Sequence, residues 1–161
     1  MDDFKPEDVA WIILFLPLLA AGVIALFTRR DGKFSAQLSI TAVVLSFLVS
    51  CGVFLMFKDA KLVPTTPLNW LNLGDLKVDI GLRLDPLSLL MLLVVTGVGS
   101  AIHIYSFGYM KDDRCMGRYF ASLSLFMFSM LGIVLANNLV MMFIFWELVG
   151  VSSYLLIGFW Y

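Results

Sequence analysis

The sequence carries little charge and few cysteines. Charged residues make up 14% of its 161 residues, whereas soluble domains contain about 25%. The formal net charge of −1 provides no basic surface for a nucleic acid, so no such partner is expected. Cys51 and Cys115 form neither a CxxC pair nor a metal-ligand spacing, so they indicate no metal site and no redox compartment. Hydrophobic residues, by contrast, make up 61% of the chain and occur in long blocks, which is typical of membrane proteins.

Five of these apolar blocks are long enough to cross a bilayer as helices, because about 20 residues at a rise of ~1.5 Å span ~30 Å of hydrocarbon. The third begins at Asp85-Pro86, where the aspartate can cap the helix and the proline fits its first turn. The sequence therefore predicts an all-α transmembrane fold, organised as one membrane unit over residues 1–161. The predicted spans are residues 9–28, 36–57, 86–107, 119–136 and 138–159.

The only long connection, residues 58–84, contains a strand pattern. From Lys77 to Leu84, apolar residues alternate with polar residues or glycine, which is the period of a strand. Residues 71–73, followed by Gly74-Asp75, supply a second strand and a turn. Basic residues are dense in the short loops after spans one and three, which indicates that those loops are cytoplasmic and that the connection lies outside. We therefore predict a short extracytoplasmic β-hairpin between spans two and three.

Glu147 is the only charged residue in the fifth predicted span. An acid at that depth costs on the order of 2.5–3.5 kcal/mol on insertion scales, and no basic residue lies inside any predicted span to pair with it. The carboxyl group must then be paired from elsewhere, wetted or kept neutral, and each state suits a group that takes up and releases protons. Gly150 and Tyr154 share its helical face. We predict proton transfer by Glu147, with the Tyr154 hydroxyl as a candidate relay.

His103 is the only histidine of the chain and lies near the cytoplasmic end of the third predicted span, close to Ser100 and Ser106. Its unperturbed pKa of about 6.5 suits an imidazole to relay protons. A hydrogen-bonded packing residue would fit the same position, so both interpretations stay open. The small residues Gly132 and Ala136, four positions apart, are interpreted as helix-packing contacts.

Three stretches resemble the antiporter-like membrane subunits of respiratory complex I: Asp85–Met91, His103–Met110 and Trp146–Trp160. The resemblance is strongest to the N-terminal part of the subunit called L in bacterial NADH:quinone oxidoreductase and subunit 5 in mitochondria. The large subunit of multisubunit cation/proton antiporters shares the Trp-Glu-Leu element and is the alternative. A structural five-helix membrane protein remains a third, more distant alternative.

The resemblance implies a proton-translocating membrane subunit, in which the glutamate matching Glu147 is a proton-channel residue that pairs with a lysine on a later helix. It implies no cofactor in this chain, because NADH, FMN, iron–sulfur clusters and quinone would belong to partner subunits. Other complex I membrane subunits and the lipid bilayer are the expected partners. Because the sequence stops after the fifth predicted span, we expect either a piece of a longer protein or the product of a split gene. A bacterial plasma membrane is favoured over a mitochondrial inner membrane.

Overall fold

The computed structural model describes residues 6–28, 30–57, 65, 67–73 and 76–160. Within them, five helices are long and apolar enough to cross a membrane, and a two-stranded antiparallel sheet lies between the second and third helices. The all-α transmembrane prediction with a hairpin is therefore confirmed. The elements are α1 Pro6–Val23, continued by a π-helical turn Ile24–Thr28, α2 Gly32–Phe57, β1 Leu68–Leu73, β2 Leu76–Ile80, α3 Pro86–Tyr109, α4 Met116–Leu135 and α5 Leu139–Ile157.

Two helices on the hairpin side begin at side-chain caps. The Ser88 backbone N–H donates to Asp85 Oδ1 at 2.8 Å, and the Asp85 N–H donates to Ser88 Oγ at 2.8 Å, so the start of α3 is fixed by a reciprocal pair. Pro86 occupies the first turn, as predicted. At the start of α5, the Met141 N–H donates to Asn138 Oδ1 at 2.8 Å. These caps satisfy backbone donors that a helix start otherwise leaves unpaired.

The second strand of the hairpin ends earlier than the alternating pattern predicted. Leu68 lies opposite Ile80 and Leu73 opposite Leu76, with a β-bulge after Asn69. The alternation of apolar with polar or glycine residues continues to Leu84, but the strand that pairs with β1 ends at Ile80. Beyond it, the chain turns to pack on α4. There the Arg83 N–H donates to the Leu135 carbonyl oxygen at 2.9 Å.

The turn at Gly81 explains where the strand stops. A Cβ atom at Gly81 would lie 2.7 Å from the Asn137 amide nitrogen and 2.9 Å from Pro67 Cβ, so only glycine lets the chain pass between them. Leu82 and Leu84 are then buried at 1% and 0% exposure. The last apolar residues of the alternating segment therefore pack on the bundle rather than in a sheet.

α4 is the central helix of the bundle. It packs against α1, α2, α3 and α5, while α1 also packs against α2, and α2 against α3. Leu131 and Leu135 of α4 are fully buried beside Ile13, Leu14 and Val43 in the main apolar cluster. α5 is peripheral, since Met141 and Ser152 are its only buried residues among those described.

Candidate proton-handling site

Glu147 lies near the middle of α5, on a face that the rest of the described chain leaves open. Phe143, Glu147, Gly150 and Tyr154 follow one another at helical spacing, and all four are exposed. A Cβ atom at Gly150 would meet no other heavy atom within 4 Å. Within the described residues, the Glu147 carboxylate has neither a hydrogen bond nor an ion pair. The carboxylate thus lies on an apolar helix long enough to cross a membrane, without a partner among the described residues.

Tyr154 lies on the predicted face of α5 but makes no hydrogen bond to Glu147. Its side chain is 75% exposed. Seven residues separate the two positions, which corresponds to about 10 Å along the helix axis. A proton passing from one to the other therefore needs water or another polar group between them.

His103 lies in a different part of the bundle. Its side chain is 1% exposed, and its ring contacts Phe120 of α4 with 6.4 Å between ring centroids. Its Nδ1 lies 2.7 Å from the Gly99 carbonyl oxygen, so Nδ1 carries the donated hydrogen, while Nε2 is buried without a partner. Because α3 packs against α2 and α4, whereas α5 packs against the other side of α4, the structure does not bring His103 and Glu147 together.

The loop between α3 and α4 is tied to the end of α5. The Trp160 indole N–H donates to Asp113 Oδ2 at 3.0 Å. This bond, followed by the Cys115 backbone N–H and the charge of Arg118, holds the pKa of Asp113 below its ordinary value of 3.8. Arg118 donates to the Phe159 carbonyl oxygen at 2.5 Å, and its guanidinium lies 4.8 Å from the centre of the Phe159 ring.

Sequence reasoning missed several polar contacts between helices. Ser39 of α2 and Ser124 of α4 share a buried hydrogen bond of 2.6 Å, and Ser106 of α3 bonds to the Tyr119 hydroxyl of α4 at 3.1 Å. Serines at helical spacing in apolar spans were a weak signal for such contacts, because the same pattern also fits simple packing. In the described part of the chain, no group of three or more His, Cys, Asp or Glu side chains is arranged to hold a metal ion.

Two segments of the chain match known protein families. Residues 70–120, from the hairpin to the start of α4, match the family described as NADH-ubiquinone oxidoreductase (complex I), chain 5 N-terminus. Residues 136–161, which include Glu147 and Tyr154, match the transmembrane family described as NADH:quinone oxidoreductase/Mrp antiporter.

Curated relatives extend the match to nearly the whole chain. NADH-quinone oxidoreductase subunit L of Mycobacterium tuberculosis is 39% identical over 155 residues, which is 94% of this chain and 24% of the relative. The corresponding subunit of Rickettsia typhi is 41% identical over 160 residues, 96% of this chain and 24% of the relative. The chain belongs to the family of NADH-quinone oxidoreductase subunits L and 5.

The family also includes plastid members. NAD(P)H-quinone oxidoreductase subunit 5 from the chloroplast of Zygnema circumcarinatum is 42% identical over 162 residues, covering 96% of this chain and 23% of the relative. The chain thus spans about a quarter of the length of the curated relatives it matches. With its five apolar helices, this subunit L/5 family member is a multi-pass membrane protein.

Proposed function

We propose that this chain contributes to a proton-translocating membrane subunit of NADH:quinone oxidoreductase, and that Glu147 is its proton-transfer site. The observation that carries the proposal is the unpartnered Glu147 carboxylate on the open face of α5, inside the segment that matches the transmembrane family. Electron transfer from NADH to quinone would take place on other subunits, which hold FMN and iron–sulfur clusters. Quinone reduction on those subunits would be coupled to this chain through a change in the protonation state of Glu147.

The open face of α5 cannot simply face lipid. A carboxylate exposed to hydrocarbon costs on the order of 2.5–3.5 kcal/mol even on insertion scales, whereas the neighbouring Phe143 and Trp146 would be stable there. We infer that protein or protein-bound water covers the Glu147 side of the helix. A cationic partner in that covering layer, a lysine by the family resemblance, would stabilise the charged form, and its withdrawal would favour proton uptake.

Tyr154 and His103 have different roles in this proposal. Tyr154 extends the hydrogen-bonded path along α5, with water bridging two positions about 10 Å apart along the helix axis. His103 is a candidate relay on the opposite side of α4, where its unpartnered Nε2 leaves a position open for proton exchange. Other membrane subunits of the complex and the bilayer are the proposed partners, and a bacterial plasma membrane is the proposed location.

The test of the Glu147 role is a charge-removing substitution in the assembled enzyme. Glu147→Gln keeps the shape of the side chain and removes the proton site, so NADH-driven proton pumping in inverted membrane vesicles should fall strongly. Glu147→Asp, which keeps a carboxyl group, is the matched control and should retain part of the pumping. Unchanged pumping in a fully assembled Glu147→Gln complex would overturn the proposal.

A second function, cation/proton antiport, is favoured by one observation, because the family matched by residues 136–161 is described as shared with the Mrp antiporter. Antiport would appear as Na⁺-dependent proton exchange in vesicles energised without NADH. Pumping that requires NADH and is indifferent to Na⁺ favours the oxidoreductase subunit.

A further inference from the structure

A second polar site lies inside the bundle, on the side of α4 away from Glu147. Thirteen polar side chains are buried among the described residues, and they lie on α2, α3, α4 and α5. Most of the hydroxyls on these helices bond to a carbonyl oxygen one turn back on their own helix, as Ser50 and Ser100 do. His103 and the Ser39–Ser124 pair are different, because their bonding capacity is left partly unused.

The packing of α2, α3 and α4 places His103, Ser39 and Ser124 at the same depth in the bundle. A Cβ atom at Gly99 would lie 3.8 Å from Val43 of α2 and 2.6 Å from Met127 of α4, so these three positions mark one level of the bundle. α3 runs antiparallel to α2 and to α4. One turn further toward the α3–α4 loop, about 6 Å along the axes, His103 therefore comes level with Ser39 and Ser124.

At this level, His103 has an unused hydrogen-bond acceptor and the serine pair has an unused donor. Because Nδ1 of His103 donates to the Gly99 carbonyl oxygen, the buried Nε2 of the neutral ring is a bare acceptor. In the Ser39–Ser124 bond, one hydroxyl donates and the other accepts. The accepting hydroxyl still has its own hydrogen, and no described acceptor takes it. One unused donor and one unused acceptor thus lie at one level of a three-helix junction.

We propose that this junction of α2, α3 and α4 is a binding site for an internal water molecule, which donates to His103 Nε2 and accepts from the Ser39–Ser124 pair. Leaving a buried acceptor unpaired costs about 1–3 kcal/mol, and buried waters characteristically satisfy two to four such groups. The site is separate from Glu147 and stands whether or not Glu147 carries protons.

Another polar contact lies between this level and the α3–α4 loop. Ser106 lies three residues beyond His103 on α3, hence on the same helical face. Its hydroxyl bonds to Tyr119, near the start of α4, at 3.1 Å. Tyr119 is only partly buried, so this pair lies closer to the α3–α4 loop and to the surface than His103 does. In this proposal, the water molecule enters and leaves the junction from the loop side, past the Ser106–Tyr119 pair.

The test is a structure of the intact membrane complex at a resolution that reveals ordered water. We expect a density peak within about 2.6–3.2 Å of both His103 Nε2 and a hydroxyl of the serine pair. In a Ser124→Ala, Ser39→Ala double variant, which removes both hydroxyls and little volume, the peak should disappear. Ser129→Ala is the matched control, because the Ser129 hydroxyl is buried on α4 but bonds to Leu125 of its own helix, and the peak should remain.

Two results would overturn the proposal. One is a junction without water in the unsubstituted complex, with Nε2 against apolar atoms or bonded directly to a serine hydroxyl. The other is a water peak that persists at the same position in the double variant, since the serines would then not hold it. Neither result depends on proton pumping, so failure here is distinguishable from failure of the Glu147 role.

Discussion

Gly132 of α4 faces the aromatic ring of Phe145 of α5 so closely that a Cβ atom at position 132 would overlap the ring. This contact lets the two helices approach near the hairpin end of the bundle. It bears out the interpretation of Gly132 as a packing residue. The Gly132–Phe145 contact also fixes α5 near Glu147, which lies two residues beyond Phe145 on the same helix.

Replacing Gly132 by alanine should therefore destabilise the α4–α5 contact. Because the added methyl group must displace the Phe145 ring, we expect a cost of about 1–3 kcal/mol, typical of overpacking. The measurement is the heat stability of the subunit in detergent-solubilised membranes. Gly52→Ala is the control, since a Cβ atom there meets nothing within 4 Å. Equal behaviour of the two variants would contradict the close contact.

The Asp85 cap makes a prediction with a defined pH dependence. The Ser88 backbone N–H, followed by the Ser88 hydroxyl and Arg83, holds the pKa of Asp85 below its ordinary value of 3.8. A lowered folded pKa means that the charged form contributes stability above pH 3.8, which is lost as the pH falls through the lower folded value. Asp85→Ala should cost about 1 kcal/mol near pH 7.

That cost is measured by thermal unfolding at several pH values. The difference between the unsubstituted chain and Asp85→Ala should shrink once the pH falls below 3.8. Asp85→Asn, which keeps a capping oxygen, should lose less than alanine does at pH 7. The exposed Arg83–Asp85 pair, with an Arg83 side chain 60% exposed, adds little because solvent screens it. A pH-independent difference would argue against the charged cap.

The Trp160–Asp113 bond predicts local protection of the α3–α4 loop. Asp113→Ala removes the acceptor of the indole N–H, so the loop should open more often and trypsin should cut faster after Lys111 or Arg114. Asp112→Ala is the control, because Asp112 is exposed and is a neighbouring acid of the same loop. If both variants are cut at the same increased rate, loss of charge rather than loss of the indole bond is responsible.

Tyr154→Phe tests the proposed path along α5. The substitution removes only the hydroxyl, so NADH-driven pumping should fall, but by less than in Glu147→Gln, because water can partly replace the missing group. Tyr105→Phe is a suitable comparison, since Tyr105 is also exposed, at 71%, but lies on α3. Full pumping by Tyr154→Phe would remove Tyr154 from the path and leave the Glu147 proposal intact.

The sequence was sufficient for features that depend on local pattern. The five helices follow from uninterrupted apolar blocks, the start of α3 from Asp85-Pro86, and the hairpin from alternation before Gly81. The open face of Glu147 was also anticipated in part, because helical spacing alone groups it with Gly150 and Tyr154.

Features that depend on contacts between distant segments were not accessible in this way. The Ser39–Ser124 bond joins residues 85 positions apart, and nothing in either local sequence indicates its partner. The strand ended at Ile80 rather than Leu84 because Gly81 passes between Pro67 and Asn137, a contact of three separate segments. The burial of His103 against α4, away from Glu147, likewise follows only from how the helices pack.

α5 is held at its two ends by polar contacts, and along its length it packs on α4 with the Glu147 face left open by the described residues. At one end, the Asn138 side chain donates to the Asp79 carbonyl oxygen of the hairpin at 2.5 Å. At the other end, Arg118 and Asp113 hold Phe159 and Trp160. Between these anchors, Phe145 packs on Gly132 of α4, and Glu147 lies two residues further along, on the open face. A neighbouring segment that docks on the open face would therefore meet the carboxylate directly, while both anchors and the α4 contact stay in position.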